Sequence, residues 1–70
     1  MRNENLHQVI VCTTEAKRLA VMDVETKPTD RWVEHCAVVL GKWLFDNPGH
    51  RLLDNHVANG NMTVWVSKLH

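Results

Sequence analysis

Residues 27–49 read KPTDRWVEHCAVVLGKWLFDNPG. The first four, Lys27-Pro28-Thr29-Asp30, end whatever precedes them and offer Thr29 or Asp30 as a cap, since a short side-chain oxygen accepts from the unpaired N–H groups of a helix's first turn. Trp32, Val33, Cys36, Ala37, Leu40, Trp43 and Leu44 then recur at spacings of three and four, which predicts one broad apolar face on a helix near residues 30–46. Arg31, Glu34, His35 and Lys42 fall on the other side. Gly41 weakens the last turn but leaves room for close packing against a sheet. Asn47-Pro48-Gly49 stops the helix as a turn, with Pro presetting one central residue and Gly accepting positive φ at the next.

Downstream of the helix, Asn59-Gly60 is the strongest short hairpin signal in the chain, because a type I′ turn needs two residues that tolerate positive φ. A two-residue loop there pairs Val57 with Met62, Asn55 with Val64 and Leu53 with Val66. That register predicts Leu53, Val57, Met62, Val64 and Val66 on one face, and Leu52, Asp54, His56, Thr63, Trp65 and Ser67 on the other.

Upstream, residues 1–6 are a short polar lead that is expected to fray. The β-branched run from Gln8 to Thr13 predicts a strand. Arg18 to Glu25 reads two ways. Glu15 to Ala20 has strong helix propensity with Thr14 as a cap, whereas Leu19 to Thr26 reads as a strand. A hairpin with a loop at Thr14 to Lys17 is favoured, although no Gly eases that loop. The expected fold is α+β, in the order β-β-α-β-β, with one helix on a four-stranded, mainly antiparallel sheet. The alternative is β-α-α-β-β.

A chain of 70 residues holds one small domain. A domain of this size buries only about 60% of its unfolded surface, so help from a disulfide, a metal or a second chain is common. The hairpin arrangement sharpens the last option. Ile10, Cys12, Leu19 and Val21 share one side of the first two strands; Val9, Val11, Ala20, Met22 and Val24 share the other. Both sides are apolar, and one helix covers one face. Val9, Val11, Met22 and Val24 are therefore expected at an interface, with a homodimer as the economical solution and another protein as the next. If residues 14–26 were helical, most of these side chains would form one stripe and no face would be left over.

Composition narrows the rest. Eight Lys and Arg balance eight Asp and Glu, so the formal net charge is zero, which argues against a strongly basic nucleic-acid binder. No stretch approaches the roughly 20 apolar residues of a membrane span, and no signal-peptide pattern follows the polar start, so a cytoplasmic location is expected. Cys12 and Cys36 read as reduced, buried residues. Five His and two Cys invite a metal reading, but Cys12 and Cys36 are far apart, no Cys or second pair joins His50 and His56, and no metal or cofactor is expected. Walker, GxGxxG, GxSxG, HExxH and EF-hand patterns are also missing. Asp54 and His56 stand two apart with Thr63 across the strand, a spacing that could serve a base and a nucleophile; exposed sheet faces carry such residues commonly, and no catalytic role is assigned. Trp65 is the more informative residue, a large aromatic on a polar hairpin face, where aromatics anchor partners or stack on bases.

The expected function is a small non-enzymatic regulator, adaptor or inhibitor that binds protein through an exposed sheet face. It would act as a homodimer or on another protein, with no membrane partner, in the manner of phage or mobile-element accessory proteins. Val9, Val11, Met22, Val24, Trp65, His56 and Thr63 are the expected contact residues. The alternative is a nucleic-acid-binding regulator using the hairpin face around Trp65, with His56, Thr63, Arg51 and Lys68.

Overall fold

The structure is a computed structural model and describes residues 5–69. The order is β1 (Leu6–Thr13), β2 (Arg18–Glu25), α1 (Trp32–Asp46), β3 (His50–Ala58) and β4 (Asn61–Lys68). The strands form one open four-stranded sheet in the order β2-β1-β4-β3. The two hairpins, β1–β2 and β3–β4, are antiparallel, and the central pair β1–β4 is parallel, so the sheet is mixed. The helix carries the chain from the β2 edge to the β3 edge, the kind of long crossover that joins strands running the same way. The expected β-β-α-β-β order holds. Of the polar lead, Leu6 belongs to β1 and Asn5 O accepts from Thr26 N at 2.8 Å; residues 1–4 lie outside the described residues.

Both hairpins are set by their turns. Asn59 and Gly60 take φ of 54° and 76°, the pair of positive values that a type I′ turn requires. The β1–β2 loop solves the same problem without glycine. Ala16 N donates to Thr13 O at 2.9 Å, Ala16 itself takes φ 63°, and Lys17 N donates to Thr13 Oγ1 at 3.2 Å. Alanine in the left-handed region is strained because its Cβ crowds the next carbonyl.

The core lies between α1 and one face of the sheet. Val9, Val11, Val24, Met62, Val64 and Val66 meet Cys36 and Leu40, with Ala20, Met22, Trp32, Val39, Trp43 and Leu44 packed around them. Burial pushes the Cys36 thiol above its ordinary pKa, because the thiolate would lose its water. Both cysteines are free and buried. At one end of the core His7, itself buried, stacks on Trp32 with ring centroids 4.5 Å apart, and its Nδ1–H donates to Gly60 O at 2.7 Å. This contact ties the start of β1 to the helix and to the β3–β4 turn. At the other end Asn47 Nδ2 donates to Trp43 O at 2.8 Å and closes the helix, while His50 meets the Trp43 ring edge-on.

Several local expectations are corrected. Gly41 is exposed, with open space where a Cβ would stand, so no close approach to the sheet uses it. Neither Thr29 nor Asp30 caps the helix: Arg31 occupies the N-cap position without a side-chain bond, because Asp30 Oδ2 turns back to accept from Lys27 N at 2.8 Å. Val33 and Ala37 stay exposed, and Val39 packs in their place, so the buried stripe is rotated from the broad face expected. Gly49 does not use positive φ; His50 N donates to Asn47 O at 3.2 Å around a turn that any residue at that position could enter. The hairpin register holds at Val57–Met62 and Asn55–Val64, but Leu52, not Leu53, pairs with Val66, because Leu53 is the extra residue of a bulge. A second bulge makes Leu19 the extra residue of β2, where Cys12 pairs with Arg18.

Replacing Ala16 by Gly is expected to stabilise the fold by about 1 kcal/mol, since glycine meets no Cβ penalty at that φ, and to raise Tm by several degrees in a thermal melt. A lower Tm would contradict the loop conformation.

Candidate functional site

With α1 on one face, the second face of the sheet carries no element of the described chain. The registers define its rows. One row runs Arg18–Cys12–Trp65–Asp54 from the β2 edge to the β3 edge. The next runs Val21–Ile10–Thr63–His56. Below them Gln8 Nε2 donates to Asp23 Oδ1 at 3.1 Å across β1–β2, and Gln8 N donates to Asn61 Oδ1 at 3.1 Å. The centre of the face is therefore apolar or weakly polar, and the charges sit on the edge strands.

Burial follows that layout. Cys12 is 9% exposed, Ile10 and Trp65 are half-buried, and Val21 is 46% exposed. A large indole beside a small thiol in one row leaves a stepped surface, not a flat one.

The expected contact residues divide between the two faces. Val9, Val11 and Val24 are buried beneath the helix, and Met22 packs against the same core. These four are not an accessible surface, which corrects their expected place at an interface. The helix lies on their side because that parity is apolar across β1, β2 and β4, through Met62, Val64 and Val66 as well. The opposite parity interleaves Gln8, Asp23 and Thr63 with its apolar residues. Thr63, Trp65 and His56 do lie together on the open face, in the register expected. Ile10, Cys12, Val21 and Arg18 join them. The polar residues sharing their parity were the signal that this side faces outward.

As chemistry, the Asp54–His56–Thr63 set is loose. Asp54 Oδ1 accepts from Asn55 N at 2.8 Å, and among the described residues no hydrogen bond or ion pair joins Asp54 to His56. A base held in place by an orienting carboxylate is not assembled. No group of three or more His, Cys, Asp or Glu is arranged to hold a metal among the described residues. A hollow of about 440 Å³ opens beside the His7–Trp32 stack. Several of the polar groups around it are used in closing the loop, through Thr26 Oγ1 to Asn5 O at 3.2 Å and Lys27 N to Asp30 Oδ2 at 2.8 Å.

A second exposed apolar feature was missed. Val38 and Phe45 are 59% and 85% exposed. At about 100° per residue they project opposite Cys36 on the helix, a calculation the sequence alone permits. They form a narrow outward stripe, with the charged Glu34 and Lys42 nearby.

No protein-family model, curated protein sequence or solved structure matches the chain. No helix among the described residues is long and apolar enough to cross a membrane.

The assignment of faces has a direct consequence for stability. Val11→Asp buries an unpaired carboxylate and is expected to abolish folding, whereas Val21→Asp is expected to change stability by less than about 0.5 kcal/mol. Urea denaturation followed by tryptophan fluorescence reads both, and equal damage from the two changes would contradict the placement.

Proposed function

We propose that this chain is a small non-enzymatic protein-binding module, a regulator, adaptor or inhibitor that works through the open sheet face. The observation that carries the reading is the row structure of that face: Ile10, Val21 and Trp65 stand together where no element of the described chain covers them. Exposed apolar clusters rimmed by polar residues mark contact sites in soluble domains. Aromatic residues at their centre supply most of the contact energy. Free, buried thiols fit a reducing compartment such as the cytoplasm.

Nucleic acid is the weaker partner. Trp65 could stack on a base, but Asp23 and Asp54 share the face with Arg18 and Arg51, Lys68 has the opposite parity, and such mixed charge does not track a phosphate backbone.

A photocrosslinking amino acid placed at position 21, on the open face, and separately at position 45, on the outer side of the helix, tests the reading in cells that express the protein. Protein adducts from position 21 but not from position 45 are expected. Adducts from position 45 alone, or none from either, would overturn it. So would tight binding of single-stranded RNA or DNA oligonucleotides at about 50 mM salt that collapses as salt is raised, the signature of phosphate contacts.

A further inference from the structure

We infer that the open face binds a second copy of this chain, through a two-fold axis that runs along the strands between two facing sheets. The inference rests on the reading of that face as a contact surface and specifies its occupant.

The central strands β1 and β4 are parallel. A two-fold axis along them lays β1 of one copy over β4 of the other, at the same height and in the same direction. Each row then meets itself reversed. Arg18 faces Asp54 of the second copy, Cys12 faces Trp65, and Ile10 faces Thr63. Both kinds of complementarity result. The large indole lies over the small thiol twice, and the Arg18–Asp54 pair forms twice, once at each edge. Sheets pack about 10 Å apart with their strands nearly aligned, a gap that an arginine side chain spans.

The in-chain contacts favour the same pairing. Arg18 has no ion-pair partner among the described residues. Asp54 is occupied only by the neighbouring Asn55 N. An axis across the strands would instead set Arg18 against Asp23, whose carboxylate already accepts from Gln8 Nε2, and would place Trp65 near Asn61. Size matching is lost there.

At about 4.8 Å between strands and 3.3 Å per residue, the open face measures roughly 19 by 23 Å. Two such faces fall at the low end of specific interfaces, near or below about 1,200 Å² in total. The dimer is therefore reversible, with dissociation on dilution.

Sedimentation across a micromolar-to-millimolar range tests this with the whole chain and two charge reversals, Arg18→Asp and Asp54→Arg. Both positions are exposed on edge strands, and far-UV circular dichroism checks that each variant is folded. The wild type is expected to move from 8.1 kDa toward twice that mass as concentration rises. Each variant alone should remain a monomer, because like charges now face each other at both edges. Mixed together, the two variants should recover the dimer. The introduced aspartate then faces the introduced arginine at one edge, and the native Arg18 of one variant faces the native Asp54 of the other at the second edge.

A monomeric wild type throughout the range would overturn the inference. So would variants that dimerise as well as the wild type, or a mixture that stays monomeric. A mixture of Arg18→Asp with Asp23→Arg that dimerises, where the Asp54→Arg mixture does not, would assign the other axis and refute this one. A monomeric wild type whose position 21 still crosslinks to a different protein would sink the dimer while leaving the function reading standing.

Discussion

One helix can shield one face of a sheet, and the rest of this structure follows from that limit. The covered parity is apolar on β1, β2 and β4, so Val9, Val11, Val24, Met62, Val64 and Val66 close on Cys36 and Leu40. The other parity is left to solvent. It carries Ile10, Cys12, Val21 and Trp65, but Gln8, Asp23, Thr63 and the edge charges interrupt them. A surface of that composition tolerates water and still gains free energy when it is covered.

The parallel pairing of β1 with β4 ties the two hairpins into one sheet. Each hairpin is local and specified by its own turn, whereas joining them needs the helix as a crossover. The helix is held at both ends, by the His7–Trp32 stack and the Gly60 carbonyl at its start, and by Asn47 and His50 against Trp43 at its finish. The sheet stays open, with β2 and β3 as edges. Their charged residues, Arg18, Asp23 and Asp54 among them, discourage indiscriminate edge pairing.

Much of this was legible from residues alone. Asn59-Gly60 fixed the second hairpin because the turn demands positive φ, and the β-branched run before Thr13 fixed the first strand. The spacing from Trp32 to Leu44 located the helix. Features that escaped were those that depend on one residue or on distant partners. A bulge at Leu19 or Leu53 adds a single residue and leaves no pattern. Asp30 had two possible donors, and the loop N–H of Lys27 won over the helix. The β1–β4 pairing joins segments far apart in sequence with no turn between them. Val9, Val11, Met22 and Val24 lie under the helix and not at the expected interface, although the signal is in the sequence, where the polarity of each parity differs strand by strand. Trp65, His56 and Thr63 were placed together correctly because the hairpin register around Val57 and Met62 was sound.

The most direct test of the central claim is the accessibility of methyl groups to a soluble paramagnetic agent, read by NMR on dilute, isotope-labelled protein. The account predicts strong broadening of the Val21 methyls, weaker broadening at Ile10, and protection at Val9, Val11, Val24 and Val64. Broadening at Val9 and Val11 with Ile10 and Val21 protected in the dilute monomer would place the helix on the other face and contradict the account.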